Sequence, residues 1–223
     1  MKILSYDSPI ISRLNSLANG MLINIVFLIC CLPIVTIGAA RTALFTVSFR
    51  WANQKEAGVA RFFQAFLKNL KTSTIPWLLT LAGLAFLFYD IFLIRNNAFA
   101  GGKICLAICV IAFVLLGLVQ SQMFLFHAKF SCTVRQLFVN SALVVLANPL
   151  RALFVFCLNA LPLAVLLVDS YTHAKFFPVW GLGYYALEGF LSAYAMKKVY
   201  TRLETRNEED GEADEAPTET PEG

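Results

Sequence analysis

The sequence predicts an all-α membrane protein, a polytopic bundle of about five transmembrane helices with two cytoplasmic interfacial amphipathic helices, and three observations predict it. Hydrophobic residues make up 58% of the chain and charged residues 14%, whereas an ordinary soluble domain carries about a quarter charged residues. Five long stretches hold almost no charge. The acidic residues crowd at one end: nine of 14 lie in the last 20 positions, leaving five against 17 Lys and Arg in residues 1–203, a net +12. An ordinary soluble enzyme is excluded, because the apolar stretches take up most of the chain. The chain divides into an integral membrane helical domain, residues 1–203, and an acidic cytoplasmic tail, 204–223.

A bilayer core of roughly 30 Å takes about 20 mostly apolar helical residues. On that measure the expected spans run over 17–37, 75–94, 104–126, 152–168 and 177–196. The first holds Asn24 and Pro33 and is longer than the roughly 7–15-residue core of a signal peptide, so it reads as an anchor that stays in place. Residues 137–147 (LFVNSALVVLA) are too short for a sixth span and are interrupted by Asn140 and Ser141. They read as a helix lying in the interface.

Lys and Arg in short loops stay preferentially on the cytoplasmic side. With five spans, one side holds thirteen: Arg41, Arg50, Lys55, Arg61, Lys68 and Lys71 in the first loop, Lys129, Arg135 and Arg151 in the third, and Lys197, Lys198, Arg202 and Arg206 after the last span. The other side holds five, Lys2, Arg13, Arg95, Lys103 and Lys175. The expected orientation therefore has the N-terminus outside and the C-terminus inside.

Within residues 61–74 (RFFQAFLKNLKTST), Phe62, Phe63, Phe66, Leu67 and Leu70 recur at helical spacing, while Gln64, Lys68 and Lys71 fall on other faces. With Arg61 this makes a basic amphipathic helix suited to an inner leaflet of anionic lipid, or to docking a partner protein. Residues 204–223 carry no large apolar side chain to offset the entropy of ordering, and are expected to be disordered.

No metalloprotease, nucleophile-elbow, Walker or dinucleotide-glycine motif occurs. No cofactor is expected. The six cysteines form no CxxC pair and read as small apolar packing residues. Nucleic-acid binding is not expected, because the basic residues flank spans rather than forming one soluble face. Gly181 and Gly183 (WGLGYY) read as sites of close helix packing.

What remains is a set of polar residues at membrane depth: Asn24, Gln120, Gln122, Asn159 and Glu188. An unpaired polar group in hydrocarbon costs several kcal/mol, so these should face the bundle. Glu188 lies mid-span, where a carboxyl is expected to be either protonated or paired with a donor such as Asn24, Asn159 or a Tyr hydroxyl.

Two segments carry a resemblance. Asn24 to Phe45 (NIVFLICCLPIVTIGAARTALF) and Arg61 to Leu79 (RFFQAFLKNLKTSTIPWLL) resemble the hallmark segments of the YesL family of small bacterial integral membrane proteins, with LPIVTIG and RFFQAFLKN the specific parts. The chain departs from that pattern in carrying Arg41, where a small or hydroxyl residue is expected, and in its acidic tail. The resemblance implies a bacterial plasma-membrane protein, often encoded beside carbohydrate uptake systems, with no established activity or catalytic residues. Within LPIVTIG, Pro33 is expected to end a helix, Thr36 to cap, and Gly38 to let the chain turn.

The leading functional expectation is a non-enzymatic protein accessory to, or regulating, a carbohydrate transporter. A small oligomeric transporter or channel is the alternative, and an intramembrane enzyme comes last.

Overall fold

The computed structural model describes the backbone of residues 9–96, 102–168 and 180–215, and the side chains of 17–96, 102–165 and 180–206, together with positions 175 and 178. The start of the span expected over 177–196 and the last tail residues, 216–223, lie largely outside the described residues. Among the described residues all regular structure is helical.

Helix α1 (Pro9–Cys30) stops ahead of Pro33, whose missing N–H breaks the ladder. Thr36 Oγ1 donates to the Cys30 carbonyl at 2.6 Å and to the Pro33 carbonyl at 2.8 Å, closing the end of α1 rather than capping the next helix. A 3-10 turn, Ile34–Thr36, leads into α2 (Ile37–Ala52). Residues 17–37 are therefore not one helix.

Helix α2, expected to be cytoplasmic loop, is the most enclosed helix of the fold. From Gly38 to Phe49 only Arg41 and Thr46 escape full burial. Its small residues let neighbours approach: a Cβ on Gly38 would lie 2.6 Å from both the Ser73 carbonyl and Trp77 Cβ. That glycine serves close packing rather than a turn. Its larger residues fill the core, with Leu44 and Phe45 no more than 1% exposed.

The amphipathic segment and the second span are one 38-residue helix, α3 (Val59–Asn96), with Pro76 inside it. Pro76 removes the N–H that would bond the Thr72 carbonyl, and one turn on Thr80 Oγ1 donates to the Pro76 carbonyl at 2.9 Å. At about 1.5 Å per residue α3 is about 57 Å long, nearly twice a bilayer core. Its second half pairs antiparallel with α4 (Gly102–His127), as the contacts Trp77 with Phe124 and Gly83 with Leu116 show.

Helix α5 (Val134–Ala147) opens with a capping box in which Thr133 and Gln136 satisfy each other's backbone. It ends before Pro149, the first residue of α6 (Pro149–Val168), and the two helices meet at 112°. Residues 137–147 thus lie in a separate helix, as their length suggested. A π turn, Trp180–Tyr184, precedes α7 (Tyr185–Glu215). That helix runs through the first part of the segment expected to be disordered. Its Glu and Ala residues favour helix, and Lys129 holds Glu204 at 2.6 Å.

Two helices, Val59–Asn96 and Gly102–His127, are long and apolar enough to cross a membrane, and α5 with α6 makes a third if the bent pair is one broken span. The described part of α1, Leu17–Cys30, is apolar but shorter. Two buried clusters hold the fold together. One joins Phe45 and Phe49 of α2 to residues 123–126 of α4 and to Met196 and Tyr200 of α7. The other joins Ile23 and Phe27 of α1 to Ala43, Leu44 and Val47 of α2 and Phe62 of α3.

Candidate functional site

The polar groups at depth gather where α1, α2 and α7 meet. Arg41 of α2 reaches across to Glu188 of α7, Nη2 to Oε2 3.3 Å, with the two side chains 17% and 0% exposed. The guanidinium also lies over the Phe45 ring, 5.7 Å from its centroid, a favourable cation–π placement. Ser192, fully buried one helical turn along α7, adds a hydroxyl beside the carboxylate. Glu188 therefore faces the bundle, as expected, but its partner is Arg41 rather than Asn24, Asn159 or a tyrosine.

Asn24, fully buried, fixes the entry to α7. Its Nδ2 donates to the carbonyls of Trp180 at 3.0 Å and Gly181 at 2.6 Å, and its Oδ1 accepts from the Ala186 N–H at 3.1 Å. A π turn disturbs the regular helical ladder, and one amide side chain engages two of its carbonyls and one N–H of the first turn of α7. Gly181 and Gly183 belong to this turn. A Cβ on either would meet nothing within 4 Å, so close helix packing is not their role. Close approach is found instead at Gly117 against Phe156 and at Gly189 against Ser48 and Leu44.

The other predicted polar residues are placed apart from this cluster. Gln122 is fully buried and accepts from the Tyr200 hydroxyl at 3.4 Å, while Gln120 beside it is half-buried. Asn159 donates to the Val155 carbonyl of its own helix at 2.8 Å.

The predicted docking helix divides its aromatic residues between two surfaces. Phe62 is fully buried, and Phe66 is half-buried and stacked on it, whereas Phe63 and Leu67 are 43% and 68% exposed. Arg61, Lys68 and Lys71 are exposed, with Arg61 donating to Gln64 at 3.0 Å.

Arg41 is the member of this cluster that sequence reasoning misplaced, having counted it as a loop charge. The signal available was its isolation: between Leu14 and Phe49 it is the one charged residue, and a cation at depth is one of the partners that stabilises an ionised carboxylate there. A cleft of about 250 Å³ lies where α5, α7 and the end of α4 meet, lined by Phe126, Phe130, Asn140, Val144, Asn148 and Leu203 among others. Among the described residues no group of His, Cys, Asp and Glu could hold a metal ion. Burial pushes the Cys132 thiol, in the loop after α4, above its usual range, which keeps it protonated and a poor nucleophile.

Chemically, the arrangement couples helices. A buried ion pair ties α2 to α7, and an amide ties α1 to the π turn. No curated protein and no solved structure matches the chain. Residues 21–91, from Met21 of α1 through most of α3, match a family model described as a protein of unknown function, DUF624, and both segments that carried the YesL resemblance lie inside that match.

Proposed function

We propose that this chain is a non-enzymatic, multi-pass protein of a bacterial plasma membrane, accessory to or regulating a carbohydrate uptake system. In this reading the chain crosses the bilayer near 75–94, 104–126, 152–168 and 177–196, and its C-terminus is cytoplasmic. The observation that carries it is how the buried polar groups are engaged. Arg41 with Glu188, Asn24 with the π turn and Gln122 with Tyr200 each link helix to helix. The basic residues Arg61, Lys68 and Lys71 instead remain on an exposed surface, available to anionic lipid or to a partner. The carbohydrate element rests on the YesL resemblance alone. The alternative, a small oligomeric transporter or channel, draws its support from an ion pair lying among apolar helices.

Purification of the tagged full-length chain from its native membranes in mild detergent tests the reading. A carbohydrate-transporter subunit is expected in near-stoichiometric amount. Recovery of the chain with no transporter component would count against it.

A further inference from the structure

We propose that the cleft where α5, α7 and the end of α4 meet takes an acyl chain of an anionic phospholipid from the inner leaflet, with the lipid phosphate beside Arg202. The choice of leaflet rests on the membrane placement proposed above.

The walls of the cleft suit a hydrocarbon chain. On α5, Asn140, Leu143, Val144 and Ala147 line it from one face, at the i, i+3, i+4, i+7 spacing of a helical stripe. Val199 and Leu203 line it from α7, one turn apart, and the Phe126 and Phe130 rings, 4.7 Å apart, close it from the end of α4 and the loop that follows. Ala147 is the small residue of this lining and is exposed. Asn140 and Asn148 add amide donors of the kind an ester carbonyl accepts.

What adjoins the cleft identifies its occupant. Val139, Leu143 and Leu146 form an outward stripe on α5, 51%, 57% and 76% exposed. The 112° bend between α5 and α6 turns α5 toward the bilayer plane when α6 spans, so that the stripe meets acyl chains. Leu143 belongs to both the stripe and the lining. A chain lying along α5 therefore enters the cleft past Leu143 without leaving an apolar surface. The depth agrees from three directions: Phe126 ends the span 104–126, Asn148 precedes 152–168, and Val199 follows 177–196. All three meet at the inner boundary of the bilayer.

The headgroup follows from charge. The stretches that meet here, 126–151 and 196–206, hold seven Lys and Arg against one acid, Glu204, and Lys129 pairs with Glu204 at 2.6 Å. Arg202 is exposed beside Leu203 and three residues after Val199, at the edge of the lining face of α7. Lys198, also exposed, stands one turn before it. Two cations beside an apolar cleft at this depth complement a phosphate whose acyl chain fills the cleft. The acidic run from Glu208 begins more than a helical turn past Leu203, on the cytosolic side of these cations.

Native mass spectrometry tests this on the full-length protein, reconstituted in equal amounts of phosphatidylglycerol and phosphatidylcholine and re-extracted in mild detergent. One phosphatidylglycerol per chain is expected to stay bound. Ala147→Phe fills the cleft and should lose most of that lipid. Leu143→Gln, which makes the entrance polar at an exposed position, should weaken retention without added bulk. Arg202→Gln should keep a lipid but cut the preference for phosphatidylglycerol about fivefold, the worth of one cation beside an anionic surface. No phospholipid on the folded wild-type protein, or unchanged retention in both Ala147→Phe and Leu143→Gln, would overturn the site. Equal retention of the two lipids by the wild-type protein would overturn the anionic headgroup. A tag after Gly223 detected on intact protoplasts, with lipid still lost in Ala147→Phe, would overturn the leaflet and the proposed orientation while the cleft stands. Recovery of a transporter subunit, which tests the function proposed above, bears on none of these outcomes.

Discussion

Glu188→Leu is expected to destabilise the protein by about 3–5 kcal/mol, because it strands the Arg41 guanidinium among apolar helices without its counter-charge. The carboxylate is fully enclosed and 3.3 Å from Nη2, so nothing else in the pair's immediate geometry replaces it. Glu188→Gln keeps the shape and an acceptor for Arg41, and should cost about 1.5–3 kcal/mol, the scale of a hydrogen bond to a charged group. The double variant Arg41→Leu with Glu188→Leu removes both charges and should recover most of the loss, since a buried pair can be replaced by packed apolar side chains at little cost. Thermal unfolding of the four proteins in one detergent reads all of this. A double variant no more stable than Glu188→Leu would show that the pair is not the source of the effect.

Asn24→Ala is expected to come next in size. It removes the side chain that donates to the carbonyls of Trp180 and Gly181 and accepts from the amide of Ala186. Each hydrogen bond lost costs about 0.5–1.5 kcal/mol, less where the turn relaxes toward regular helix. The loss should be local as well as global, because these bonds anchor the start of α7. Hydrogen exchange at the Ala186 amide should accelerate strongly, with little change at the far end of the same helix. Unchanged exchange at Ala186 would mean that Asn24 does not hold the turn.

What the sequence made legible follows from which solvent each helix faces. The apolar half of α3 and α4 announce themselves because hydropathy measures preference for lipid, and these helices expose their large residues, Phe86 and Ile104 by 65% and 69%. Helix α2 escapes the same measure. Its enclosure comes from other helices, so it can carry Gly38, Ser48 and Arg41 where a lipid-facing helix could not. The need for Asn24 and Glu188 to face inward was readable from the cost of polar groups in hydrocarbon. Their partners were not: Arg41 and Glu188 stand 147 positions apart, and no periodicity connects them. The sequence divides the amphipathic segment 61–74 from the span over 75–94, because one is basic and the other apolar, yet a single helix, α3, carries both with Pro76 inside it. The helical stretch of the acidic segment shows the reverse case, in which low apolar content predicts disorder while local propensity and the Lys129–Glu204 pair favour helix.

In the proposed function the polar interior links helices rather than conducting solute, and flux through proteoliposomes measures this most directly. Vesicles holding the purified full-length protein are expected to pass labelled sugars, potassium and protons no faster than protein-free vesicles, at neutral and at acidic pH. A solute or proton flux that rises with the amount of protein and is abolished by Glu188→Gln, in a preparation that remains folded, would contradict it and make the buried pair part of a transport path.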